Sequence, residues 1–114
     1  MRMPLVTVIV LNWNGERVLA DCLDSLSQLH YAPVEVLLID NASTDSSVQI
    51  ARQFANVRIV ELERNLGYAG GNNAGTQHAR GNVLALLNND MVVSPEWLDE
   101  PLGWLAGCPE VGIV

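Results

Sequence analysis

Residues 6–11 read Val-Thr-Val-Ile-Val-Leu, and residues 12–15 read Asn-Trp-Asn-Gly. An unbroken apolar, β-branched run suits a strand covered on both faces, which is the situation inside a parallel sheet. The polar break that follows is made of turn-forming residues. From Glu16 the spacing changes. Val18, Leu19, Cys22, Leu23, Leu26 and Leu29 recur at threes and fours, with Asp21 and Asp24 on the other face. That is a helical period, and His30 to Pro33 end it.

The same unit recurs outward from this stretch. Val34 to Ile39 is a second strand, and Asp40-Asn41-Ala42-Ser43-Thr44-Asp45 after it is rich in turn and cap residues, with Asp45 the better helix cap. A second helix is expected over about 46–54, with Val48, Ile50, Ala51 and Phe54 as its apolar positions. A third strand follows over 57–62. Arg64-Asn65-Leu66-Gly67 is a loop, and Gly70-Gly71 opens a third helix that runs to about Ala79. Val83 to Leu87 is the fourth strand. Asn88-Asn89-Asp90 ends it, and Ser94-Pro95 starts a helix through Trp97, Leu98, Leu102 and Leu105. Strands alternating with helices imply a parallel α/β sheet with right-handed crossovers. Val111 to Val114 reads as the start of another strand, so the chain is expected to be a fragment of a longer protein.

Composition narrows the function. The chain has 114 residues, 49% of them apolar, and a net charge of −7. That is one folded domain with a real core, and it lacks the basic stripe of a nucleic-acid binder. All six Lys and Arg positions are Arg. A P-loop needs its lysine on the phosphates, and receiver domains also rely on one, so both α/β alternatives are excluded. Cys22 and Cys108 match no metal spacing and read as buried thiols of a reducing compartment. No signal peptide precedes the first strand, and no run approaches the ~20 apolar residues that span a bilayer. The expected location is cytoplasmic.

Ligands of open parallel sheets bind outside the carboxyl ends of the strands. The residues there are Asn12, Trp13 and Asn14, then Asp40 and Asn41, then Arg64 and Asn65, then Asn88, Asn89 and Asp90. Trp13 stands in a polar loop, where it can stack on a base or pack over the first helix. Asp40 follows an apolar run, and its carboxylate can accept from a uracil or thymine N–H or form a turn. The segment Asn65 to Asn73 is glycine-rich and precedes a helix, whose N-terminus attracts anions. It lacks a G-x-G-x-x-G spacing, so a dinucleotide site is not expected. Asn88-Asn89-Asp90 offers hard oxygen donors for Mg²⁺ or Mn²⁺ held together with phosphates, or a plain polar turn. His30 and His78 stand away from strand ends and read as solvated or structural. Trp97 and Trp104 share a helix face and read as packing residues.

Four segments together resemble one family. VTVIVLNWNGERVLADCLDSL, VLLIDNASTDSS, RNLGYAGGNNAG and ALLNNDMVVSPEWL look like the N-terminal half of family 2 glycosyltransferases of the GT-A fold, from about Val6 to Leu102, and come closest to the rhamnosyltransferase-like branch. The resemblance implies a three-layer, Rossmann-like nucleotide-diphospho-sugar transferase fold, here truncated. It implies that residues 1–114 form a single nucleotide-sugar-binding domain. By position it makes Trp13 the aromatic against the base and Asp40 the acid on the pyrimidine. Asn12, Asn14, Asn65, Gly67 and Asn72 then line the nucleotide. Asn88-Asn89-Asp90 matches a D-x-D element with Asn88 at the first acid position, which leaves Asp90 as the main ligand of a divalent metal.

The implied reaction moves a sugar from a UDP- or dTDP-linked donor to a saccharide or lipid-linked acceptor hydroxyl, with inversion. It belongs to polysaccharide or glycoconjugate synthesis. The general base of the family lies in the C-terminal half, so no catalytic residue is expected in this fragment. Truncation is expected to favour self-association, and the full-length protein is expected to be cytoplasmic or membrane-associated. The rival readings are a non-catalytic nucleotide-binding module, a nucleotidyltransferase, whose G-x-G-T start is absent, and an interaction domain on the same fold.

Overall fold

The structure is a computed structural model and describes residues 4–102. Strands and helices alternate as β1 (Val6–Asn12), α1 (Leu19–Ser27), β2 (Val34–Asp40), α2 (Ser47–Ala51), β3 (Val57–Glu61), α3 (Gly67–His78) and β4 (Val83–Asn88). All strand pairs are parallel, in the order β3-β2-β1-β4. Each helix carries the chain back to the same end of the sheet, as parallel pairing requires.

The strand period divides the core into two layers. Val6, Val8 and Val10 of β1, with Val36, Leu38, Val83, Ala85 and Leu87, pack against Leu19, Cys22, Leu23 and Leu26 of α1. Ile9, Leu37 and Ile39 face the other way, toward α3. Helices on both faces make three layers. The close seat of α3 depends on two glycines one turn apart. A Cβ on Gly75 would lie 2.6 Å from Ile9 Cγ2, and one on Gly71 would collide with Leu11.

The helix bounds differ from the sequence reading for local reasons. Residues 16–18 form a turn in which Val18 and Leu19 both donate to Gly15 O, so α1 starts at Leu19. The helix α2 stops at Ala51, because Gln53 and Phe54 bond three residues back instead of four. The helix α3 begins at Gly67, one turn before Gly70-Gly71. Gly67 takes φ 76°, and its N–H donates to Asn65 Oδ1 at 2.7 Å. After Ser94 the chain first makes a turn, and Leu102 N donating to Leu98 O marks helical bonding there. Trp104, Leu105, Cys108 and the strand expected over Val111 to Val114 lie outside the described residues.

A polar clasp closes the N-terminal edge of the sheet. Glu35 accepts from the Thr7 hydroxyl at 2.7 Å and from the Arg80 amide at 3.1 Å, and it pairs with Arg58 at 2.8 Å. Gly81 N in turn donates to Thr7 Oγ1 at 2.9 Å. Burial pushes the Glu35 carboxyl up. The Thr7 and Arg80 hydrogen bonds and the Arg58 and Arg80 charges outweigh burial and hold it below its ordinary value. A cleft of about 550 Å³ opens here, lined by Leu5, Tyr31, Glu35, Arg58 and Arg80 among others. It is at the opposite edge from the polar loops.

The topology points to the other edge. The chain steps from β1 to β2 to β3, then returns to place β4 on the far side of β1. The direction reverses between β1 and β4, and the crevice of such a sheet opens at that point.

Because the folded Glu35 carboxyl is more acidic than the unfolded one, its bonds stabilise the fold fully above the unfolded value. That stability is lost as pH falls through the lowered folded value. Glu35→Gln is expected to cost about 1.5–3 kcal/mol at neutral pH and to flatten the acid-side decline. Urea denaturation across pH checks both, and an unchanged acid limb would contradict the assignment.

Candidate functional site

The register sets Asn12, the last residue of β1, directly opposite Asp40, the last of β2. Asn12 is fully buried. Its Nδ2 donates to Asp40 Oδ1 and to Ser47 Oγ, both at 2.9 Å, with Ser43 Oγ at a longer 3.3 Å. The two short contacts use both amide hydrogens. Its Oδ1 accepts from Asn89 Nδ2 at 2.8 Å. One side chain thus joins β1, the loop after β2, the start of α2 and the loop after β4. Gly15 makes room for this: a Cβ there would collide with both Asn89 and Asn12.

Asp40 is 2% exposed. Besides Asn12, it accepts from the Ser43 hydroxyl at 2.7 Å and from the Ser43 amide at 3.0 Å. These bonds fold the loop over the carboxylate and force Ala42 to φ 63°, a left-handed conformation that costs an alanine roughly 1–2 kcal/mol. Asp40 thus acts as the inner anchor of its loop, with three bonds on its carboxylate, two to Oδ1 and one to Oδ2.

A second set of bonds zips the loops after β1 and β2 together. Asn14 N donates to Ser43 Oγ at 2.9 Å, and Thr44 N donates to Asn14 Oδ1 at 2.8 Å. Glu16 N donates to Asp45 Oδ2 at 3.1 Å, and Ser46 N donates to Glu16 Oε2 at 3.0 Å. Asp45 also takes the Ser47 hydroxyl and amide at 2.6 and 3.0 Å, the capping role read from its position. Burial works to raise the Asp45 carboxyl, but the Ser47 and Glu16 bonds outweigh it and hold it low. Trp13 stands out of this braced pair of loops at 56% exposure.

The third strand end is tied in by Asn41, which is 3% exposed. Its Oδ1 accepts from Leu66 N and its Nδ2 donates to Gly67 O, both at 3.0 Å. This fixes Asn65 and Gly67 at the opening turn of α3, where Tyr68 is 64% exposed. A cleft of about 410 Å³ lies beside them, lined by Leu62, Glu63, Arg64 and Leu66. Asn72 is 9% exposed, one turn further along α3.

At the fourth strand end, Met91 N donates to Asn88 O at 3.2 Å and closes a β-turn with Asp90 at its third position. Asn88 and Asp90 are exposed, and Asn89 is half-buried by its bond to Asn12. The Cys22 thiol points at Asn88 O from below, at 3.8 Å. Burial, and then the negative charge of Asp90, push that thiol up to about 11. Among the described residues no three His, Cys, Asp or Glu side chains gather around one point. Asp90 is a single-carboxylate position, which suits a Mg²⁺-type ion completed by substrate phosphates and water.

The structure thus links Asn12, Asp40 and Asn89 directly and braces Trp13 and Asn14 beside them. It ties Asn65 and Gly67 in through Asn41, and Asn72 follows on α3 as a buried polar residue. Sequence reading missed Ser43, Ser47 and Gly15 as members of the site. Ser43 and Ser47 carried a signal, since Ser three residues after Asp and Ser at a helix start are common loop and cap residues.

A family model described as Glycosyl transferase family 2 matches residues 7–110. The chain belongs to glycosyl transferase family 2. The Haloferax volcanii protein named Glycosyltransferase AglE is 30% identical over 111 residues, covering 92% of this chain and 36% of that one. Two solved structures share the architecture. S. aureus TarS 1–349 in complex with UDP-GlcNAc is 26% identical with a TM-score of 0.82, over 90% of this chain and 31% of that one. The mannosyltransferase PcManGT of Pyrobaculum calidifontis, in complex with GDP-Man and Mn²⁺, is 28% identical with a TM-score of 0.86, over 93% and 33%. This family 2 chain therefore has the GT-A fold, and it spans about a third of the length of these relatives.

Replacing Asn12 with Leu would strand the buried Asp40, Ser47 and Asn89 groups. A loss of about 3 kcal/mol is expected in chemical denaturation. Ala42→Gly relieves the left-handed strain at some cost in unfolded-chain entropy, so stability should hold or rise by up to about 1 kcal/mol. A clear loss there would show that the alanine methyl makes a needed contact.

Proposed function

We propose that this domain binds a UDP- or dTDP-linked sugar, with a rhamnosyl donor the one the motif resemblance favours, for transfer to an acceptor hydroxyl with inversion. The observation that carries this reading is the crevice at the β1–β4 switch point. There the exposed Trp13 and the exposed Asp90 flank the buried Asn12–Asp40–Asn89 bonds. An aromatic platform after β1 and a hard carboxylate after the neighbouring β4 suit a base and a diphosphate respectively.

Roles follow from position. Trp13 stacks on the base, and Asn14 with the Asn65–Gly67 turn borders the nucleoside. Asn72 contributes from α3. Asn12, Asp40 and Asn89 hold the loops from beneath. Asn88 presents a neutral amide where a carboxylate would add charge. Asp90 would hold a divalent ion, Mg²⁺ or Mn²⁺, together with the donor's phosphates. When bound, that ion supplies Lewis acidity that offsets charge on the departing diphosphate.

The chain spans about a third of its relatives, and we assign the acceptor site and its general base to residues beyond 4–102. Residues 1–114 alone are then expected to bind donor without turnover. No described helix is long and apolar enough to cross a membrane, and we place the reaction on the cytoplasmic side, in polysaccharide or glycoconjugate synthesis. Self-association of the isolated chain would use the exposed Leu86, Met91 and Val92 beside β4.

Calorimetric titration of UDP and dTDP, in Mn²⁺ and then in EDTA, tests the donor site. Tighter binding with Mn²⁺ is expected, lost about 10-fold or more in Asp90→Ala. Trp13→Ala should lose the ~1–3 kcal/mol of a base stack with or without metal. Binding indifferent to metal and to Asp90→Ala would identify a non-catalytic nucleotide module instead.

A further inference from the structure

The inner face of α1 carries two side chains that reach past the sheet to the segment after β4. The Cys22 thiol donates to Asn88 O at 3.8 Å. Val93 N donates to Ser25 Oγ at 3.2 Å. The Ser25 hydroxyl hydrogen is committed to Cys22 O at 2.7 Å, so its oxygen meets Val93 as an acceptor. Just beyond the helix, His30 N donates to Pro95 O at 2.9 Å. Contacts from one helix and its exit thus bracket the turn that presents Asp90.

Within that turn Met91 and Val92 are 49% and 65% exposed, and the returning chain regains packing on the core only at Val93. On the β1 side the Asn89–Asn12 bond is the tether. Ser25 itself is 8% exposed, in the last turn of the nine-residue α1. Alanine would serve the helix better there and pack without a polar atom. Among the described residues the hydroxyl's bond outside α1 is the one from Val93 N.

We propose that Ser25 is a positioning residue for Asp90: its bond to the Val93 amide sets where the Asp90 carboxylate meets the divalent ion and the donor diphosphate. This rests on the reading of Asp90 as the metal ligand. A carboxylate on an unheld turn samples many positions, and ordering it at the moment of binding weakens the metal. Partners that orient a ligand typically change metal affinity 10–100-fold. Ser25 acts through one further backbone step, so a smaller effect of about 5-fold is expected.

The test is Mn²⁺ binding to the full chain, read from the electron paramagnetic resonance of free Mn²⁺ with saturating UDP and, in parallel, dTDP. Ser25→Ala should weaken Mn²⁺ by about 5-fold and leave nucleotide affinity in EDTA and the circular dichroism unchanged. Ser25→Thr, which keeps the acceptor oxygen, should restore the wild-type value. Val93→Pro deletes the donor of the same bond, so it should match Ser25→Ala and add nothing to it in the double variant. It also serves if Ser25→Ala loses the fold. Wild-type Mn²⁺ affinity in Ser25→Ala, or additive losses in the double variant, would overturn the positioning role. Asp90→Asn separates the two ideas: if it leaves Mn²⁺ affinity intact, the metal reading fails first and the role of Ser25 with it.

Discussion

The amide of Asn12 lies at the point where the sheet and the crevice meet. It touches four polar groups, on Asp40, Ser43, Ser47 and Asn89, drawn from three other segments of the chain. A buried carboxylate such as Asp40 is costly unless its oxygens are satisfied, and a buried amide has the same need. Each therefore requires the other, and the parallel register brings them level. A slip of one residue in β1 would turn Asn12 to the opposite face of the sheet. The loops that border the crevice are then ordered by a pairing rule set deep in the core.

That order matters for the proposed ligand, a nucleoside diphosphate, because the chain is acidic. The chain carries a net charge of −7 and no lysine, so general electrostatic attraction cannot draw a diphosphate in. The work falls to local groups held in place beforehand. The reciprocal bonds of Asn14 with Ser43 and Thr44, and of Glu16 with Asp45 and Ser46, fix both loops around Trp13. A rigid aromatic surface loses little conformational entropy when a base settles on it. In the proposed donor site, a neutral Asn88 and a single Asp90 would leave the charge balance of a divalent ion to be completed by phosphates.

The glycines divide between two tasks, which their clustering in sequence conceals. Gly71 and Gly75 let α3 lie against Leu11 and Ile9. Gly67 adopts a positive φ at the start of the helix, and Gly15 leaves space for the Asn12–Asn89 bond. The glycine-rich stretch is thus chiefly a packing device with one turn position.

The four strands, their alternation with helices and the polar residues that end each strand were legible in the sequence, because apolar period and turn chemistry are local properties. Val6 to Val10 and Val36 to Ile39 could be nothing but covered strands, and a parallel sheet follows from the crossovers between them. Tertiary structure alone decided that β4 lies beside β1, which makes Asn89 a neighbour of Asn12. It turned Asp40 inward, gave Asn41 to the start of α3 and gave Ser25 to the turn of Asp90. These partners are 25 to 77 residues apart or depend on a loop that folds back on itself. Local spacing shows that a side chain is polar and near a strand end; only the packed sheet decides whether it faces the ligand or the core.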